Sequence, residues 1–262
     1  MSNPVWGIIL KDLKAIMRNR QVWLPMLILP LVLSAFMPAV FIIGLDRGAR
    51  NVSHIAPILK MVPAGLQFET NLQKLFYVVL NFMFPPLFLM IPLIASSIIG
   101  ASCLVGEKEN KTLETLLYTP VTLRQLFFSK LLATFIPAYV VTLTSFAVFT
   151  LVVHLMGGAY LQEMPFPNLK WLVLIFLVSP SVILFGLSAM VVISAYASTF
   201  QGAQQLSGFI AIPFMGLIIA QTSGVLPLET QYLVVGAPLL LVFDYLIISF
   251  CLRRLTYERL LE

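Results

Sequence analysis

Hydrophobic positions along this chain fill six long runs, and charge, proline and glycine collect between them. The runs cover residues 22–44, 76–104, 131–156, 171–195, 204–222 and 232–252. Each is long enough, or nearly so, to cross a hydrocarbon core as a helix, which takes about 17–25 residues. The fifth run is the shortest and opens on Gln204, Gln205 and Ser207, side chains that a bilayer penalises unless protein surrounds them. Pro85-Pro86 and Pro92 interrupt the second run and predict a bend, either a gate element or a packing kink. Ser96, Ser97, Gly100 and Ala101 form overlapping pairs of small residues four apart, the spacing that lets two helices approach closely.

Two stretches outside the runs also read as helices. Asn3 suits an N-cap and Pro4 a first helical position. At 100° per residue Trp6, Ile9, Leu10, Leu13, Ile16 and Met17 share one face, while Lys11, Lys14 and Arg18 gather on its flank. This pattern predicts an amphipathic helix over residues 1–21, lying in the head-group plane. The second stretch is GEKENKTLETLLYTPVTLRQLFFSK, residues 106–130. Glu107 and Lys111 stand four apart in the favourable order, and Glu107, Glu109 and Glu114 place negative charge toward a helix start. Leu113, Leu116 and Leu117 supply an apolar side, and Pro120 ends the helix. Thr122 and Gln125 form a capping box for a second helix that runs into the third apolar run. A turn of about 2–8 residues would have joined two spans, so this polar helix calls for a partner.

Composition sets the class of protein. Hydrophobic residues make up 60% of the 262, charged residues only 10%, and mean hydropathy is +0.97. A soluble domain carries about 25% charged residues, so the chain is an all-helical membrane protein. It reads as one membrane domain: 1–21 interfacial helix, 22–104 spans 1 and 2, 105–130 polar segment, 131–252 spans 3–6, 253–262 tail. Six spans put both ends of the chain on one side. That side, which includes the 105–130 segment, carries eleven of the Lys and Arg residues against five opposite, so the charge rule makes it cytoplasmic and places the protein in the cell membrane. The first run follows a charged helix and continues past signal-peptide length, so it is expected to remain as a span. The formal net charge of +5 points to anionic lipid head groups rather than nucleic acid. Cys103 and Cys251 lie toward the cytoplasmic ends of spans 2 and 6, where reduced thiols are expected.

Chemistry on a bound substrate finds little support. There is no GxxxxGK[ST] phosphate loop, no HExxH and no Cys/His cluster with metal-ligand spacing, so neither a catalytic residue nor a metal site is expected. His154 ends the third run beside Gly157-Gly158 and reads as an interfacial histidine bonded to a loop. Asp244, within the sixth run, must face protein or water, either as a structural partner or as a residue of a transport pathway with Gln204 and Gln205. The latter reading admits an ion-coupled secondary transporter or channel that uses Asp244.

Glu107-Lys108-Glu109, Thr112-Leu113-Glu114, Leu117, Thr119-Pro120-Val121 and Lys130 resemble the signature between the second and third spans of ATP-binding-cassette type-2 exporter permeases. The basic amphipathic N-terminal helix, the six spans and the closing Arg253-Arg254-Leu255 with Glu258-Arg259-Leu260-Leu261 resemble that family too. Lys111 stands where members often have Gly. STFQGAQQLSG, 198–208, is similar to sodium-exporter-like members. The resemblance implies that Glu107, Lys108, Glu109, Thr112, Leu113, Glu114, Leu117 and Pro120 belong to a coupling helix seated on a separate ATPase. It further implies that two ATPase subunits bind the ATP and Mg, that this chain holds no cofactor, and that it pairs with a second permease copy or a paralogue. The cargo path would lie at their interface.

Overall fold

The computed structural model describes residues 4–48, 68–109, 123–161, 165–222 and 229–254, and among these there is no strand. Helix α1 spans Pro4–Arg18. Span 1 comprises α2 (Arg20–Leu31), a wide π turn at Val32–Phe36 and α3 (Met37–Gly48). Span 2 comprises α4 (Asn71–Val78), a π turn at Val79–Met83, α5 (Phe84–Phe88) and α6 (Met90–Glu109). Span 3 is the single long helix α7 (Leu123–Leu161). Span 4 comprises α8 (Leu169–Val173), a π turn at Leu174–Val178 and α9 (Ser179–Ile193); span 5 comprises α10 (Phe200–Ser207), a 3-10 turn at Gly208–Ala211 and α11 (Ile212–Thr222); span 6 is α12 (Thr230–Arg254). The six apolar segments are Arg20–Leu45, Asn71–Gly106, Phe128–Leu161, Leu169–Ile193, Phe200–Gln221 and Thr230–Phe250, one for each run in the sequence.

The irregular turns follow from proline chemistry. A proline has no N–H, so the carbonyl four residues before it loses its helical donor. For Pro38, Pro85, Pro180 and Pro213 those carbonyls belong to Ser34, Asn81, Phe176 and Phe209, and each lies inside one of the four irregular turns. Pro25, Pro30, Pro137 and Pro238 sit in unbroken helix, so a proline is insufficient by itself. The predicted bend in span 2 therefore covers Val79–Leu89, upstream and downstream of the proline pair.

Span 2 forms the centre. Helix α6 packs along α9 of span 4, along α7 of span 3 and along α10 of span 5. The small-residue pairs serve the span 2–span 4 crossing: a Cβ on Gly186 would lie 2.1 Å from Ser96 Oγ, and the Gly100 Cβ position is 3.2 Å from Met190 Cβ. Trp171 of α8, fully buried, gathers Phe88, Phe146 and Phe149 with ring centroids 5.5, 5.8 and 4.8 Å away, tying spans 2, 3 and 4 together. Span 6 leans mainly on span 4, through α8, its π turn and α9.

Candidate coupling site and buried polar groups

One end of the bundle carries Glu109, Leu123 and Phe200 and is called here the near end; Asn71, Leu161 and Leu169 mark the far end. At the near end Glu107, Lys108 and Glu109 form the last turn of α6. Lys108 is half-buried and Glu109 exposed. Glu109 Oε2 accepts a hydrogen bond from the backbone N–H of Phe200 at 2.8 Å, at the first residue of α10. That N–H is one of the donors a helix start leaves without an internal partner, and a carboxylate is its best acceptor. Thr199 caps the same helix by accepting from Gly202 N at 3.1 Å. Lys130, buried at the start of span 3, donates from Nζ to the carbonyl of Cys103 at 2.8 Å. The beginnings of spans 3 and 5 are thus both bonded to the end of span 2. Thr112, Leu113, Glu114, Leu117 and Pro120 lie outside the described residues, as does the Thr122 cap.

Helix α1, Pro4–Arg18, divides the apolar stripe of the N-terminal segment. Ile9 and Ile16 are buried, with Asp12 beside them, where α1 packs on span 3. Trp6, Leu10 and Met17 face outward, and Leu13 lies half-buried between the two sets. Lys11, Lys14 and Arg18 are exposed, with Lys11 Nζ 3.6 Å from Asp12 Oδ1. Only half of the stripe expected to face the membrane is therefore free to do so; the other half is protein contact.

The three pathway candidates turn to different partners. Gln204 Nε2 is 3.5 Å from the carbonyl of Ser97 on span 2, and Gln205 is exposed. Asp244 is 1% exposed, and its Oδ1 accepts from Ser188 Oγ of span 4 at 3.1 Å. Its Oδ2 has no partner among the described residues. His154 Nδ1 bonds the Thr150 carbonyl of its own helix at 2.8 Å rather than a loop, while its ring lies 5.9 Å from that of Phe166.

A polar cluster at the far end escaped the sequence reading. Asn81 sits in the π turn of span 2, and its carbonyl loses the donor that Pro85 lacks in α register and the donor that Pro86 lacks in π register. The buried Lys170 of span 4 donates from Nζ to this carbonyl and lies 4.6 Å from the centre of the Phe82 ring. Asn168, which caps α8, donates to Asn81 Oδ1. The proline pair signalled the orphaned carbonyl. Nothing local to Lys170 signalled the answer to it.

Taken together, the six apolar helices define a multi-pass helical membrane protein. The family model described as ABC-2 family transporter protein matches residues 6–247, and the chain belongs to that family. It is accordingly a membrane subunit of a transporter. Among curated proteins none matches it.

Proposed function

We propose that this chain is the permease subunit of an ATP-driven exporter, with both ends of the chain and the near end of the bundle at the cytoplasmic face of the cell membrane. Separate ATPase subunits, two per assembly, bind ATP and Mg and dock through the coupling segment, with Glu107 and Glu114 at the contact. Two permease copies, or one copy and a paralogue, enclose the cargo path. The observation that carries the reading is the family match across 6–247. It is supported by the near-end geometry: the end of α6 and the start of α7, which the segment 110–122 joins in sequence, are bonded to each other through Lys130 and the Cys103 carbonyl. A load applied there reaches spans 2 and 3 together. Helix α1, with Ile9 and Ile16 against span 3 and Trp6 and Met17 outward, braces span 3 against the head-group layer.

The test is co-purification. The tagged chain, extracted in mild detergent and returned to lipid, should carry an ATP-binding-cassette ATPase with it and hydrolyse ATP. Glu107→Lys with Glu114→Lys should insert normally yet lose that ATPase or its hydrolysis. An unaltered complex in the double variant would remove the docking assignment, and a chain that never carries an ATPase would remove the exporter reading.

A further inference from the structure

We infer that Glu109 is a positioning residue that passes motion of the ATPase-docked segment directly to the near half of span 5, rather than an ATPase contact. The inference rests on the exporter reading above and assigns within it a step that the reading leaves open.

Three observations meet here. The first is the bond itself: Glu109 Oε2 to Phe200 N, 2.8 Å, between residues 91 apart in sequence. Glu109 is the last described residue before the 110–122 segment, so displacement of that segment arrives at Glu109 first. The second is the way the halves of span 5 are distributed. Helix α10 packs on α6 and on α9 of span 4, with Ala203 fully buried and Gln204 Nε2 near the Ser97 carbonyl, whereas α11 packs on the π turn and α5 of span 2. The near half of span 5 thus belongs to the near half of span 2, and the far half to the far half. The third is that both spans are broken between those halves. Span 2 is interrupted over Val79–Leu89 and span 5 over Gly208–Ala211, where Pro213 lacks the α-register donor for the Phe209 carbonyl and the Ile212 N–H bonds it in 3-10 register instead. A break in the hydrogen-bond ladder is where a helix bends at least cost. Paired breaks let α6 and α10 swing as one body together with α9, which packs on both and follows the π turn at Leu174–Val178, while α5 and α11 stay behind; the carboxylate-to-amide bond is the clamp at the end of that body farthest from the hinges, where the lever arm is longest.

The clamp also explains the choice of side chain. A charged acceptor at a helix N-terminus binds more strongly than a neutral one and gains from the helix dipole. Glu109→Ala removes the acceptor; Glu109→Gln keeps an oxygen in the same place.

The experiment uses the full chain with its co-purified ATPase in lipid nanodiscs, on a Cys103→Ala and Cys251→Ala background. Spin labels are attached through Phe128→Cys or Gln201→Cys, each paired with Tyr232→Cys at the far end of span 6, and labelled chain is diluted with unlabelled. Pulsed EPR reads each distance with and without a non-hydrolysable ATP analogue. Both distances should shift in the otherwise wild-type protein. In Glu109→Ala the ATPase should remain bound and the Phe128 distance should still shift, while the Gln201 shift falls about fivefold; Glu109→Gln should restore most of it. A full Gln201 shift in Glu109→Ala overturns the inference, and so does loss of the ATPase from that variant, which would make Glu109 a docking residue. Absence of any nucleotide-dependent shift at Phe128 in the wild-type background overturns the exporter reading itself, and the inference with it.

Discussion

Spans 2 and 4 differ from spans 5 and 6 in how they are held. Of the most apolar stretch of span 2, 78% is buried within the protein, and of span 4, 56%; for spans 5 and 6 the share is 17% each. The inner pair is locked by shape, with backbone against side chain at Gly186 and Ser96, and by charge, with Lys170 on the Asn81 carbonyl. The outer pair presents Phe209, Ile212, Met215 and Ile219, and Leu239, Val242 and Leu246, away from the protein. Span 5 is held by spans 2 and 4 and span 6 mainly by span 4, and few polar contacts mark the attachment: Gln204 to span 2, Asp244 to span 4, and the Glu109 clamp. Lipid is as apolar as leucine, so side-chain burial alone does not drive these helices together; close packing and hydrogen bonds decide. The inner pair has both in quantity. The outer pair has enough to stay attached and little to oppose movement.

The sharpest way to break this contrast is to add bulk to glycines on both sides of it. Gly186→Leu drives a side chain into Ser96 and the Leu93 carbonyl and should destabilise the detergent-solubilised protein by about 3 kcal/mol or more, read as a fall in melting temperature. Gly216→Leu and Gly236→Leu, which have open space around their Cβ positions within this chain, should change stability by the same measurement by no more than about 0.5 kcal/mol. Equal losses at all three positions would mean that the two pairs are packed alike.

Removing the far-end ammonium should come next in size. Lys170→Met keeps length and apolar volume but leaves the Asn81 carbonyl with no donor in a setting that excludes water, a cost of about 1–3 kcal/mol by thermal unfolding. On α1, Ile9→Asp with Ile16→Asp should destabilise the protein in detergent by a comparable amount, because both side chains are buried against span 3. Trp6→Asp with Met17→Asp should leave detergent stability unchanged and weaken only behaviour in lipid, since both face outward. Identical responses from the two double variants would restore the undivided amphipathic helix.

Asp244→Asn should have the smallest effect. Asn keeps the shape and an oxygen for Ser188, so stability should change by no more than about 1 kcal/mol and ATP hydrolysis by the lipid-embedded complex should persist with all ion gradients collapsed. Activity that requires an ion gradient, ignores ATP and vanishes in Asp244→Asn would turn the outer pair into the engine of a secondary transporter.

Much of this fold is legible in the sequence because the bilayer demands a simple code. Each apolar run became a helix within a few residues of its limits, since no other open structure satisfies a backbone in hydrocarbon. The bend in span 2 was legible for the same reason, as Pro85 and Pro86 delete two donors whose absence must show. Spatial pairing was not legible. Ser96 and Gly100 announce a close contact without naming Gly186 and Met190 as the other side. Periodicity placed Ile9 and Trp6 on one apolar stripe but contains no term for where along that stripe protein ends and lipid begins. Glu109 reads in sequence as one of several acids at a docking surface; only three dimensions bring it to the start of span 5.

The order in which a ribosome makes these residues adds a constraint of its own. Asn81 enters the membrane with span 2, yet the ammonium that satisfies its carbonyl lies 89 residues later. At about 5–20 residues per second of synthesis, the interval is on the order of 4–18 seconds. Throughout it the nascent second span must keep its broken turn near water or another temporary donor, so the distal end of this helix cannot settle to full depth before the fourth one arrives. A chain cut short after residue 161 would carry that unmet demand permanently, which makes the first four spans, and not the first two or three, the smallest unit in which the Asn81 carbonyl meets its donor.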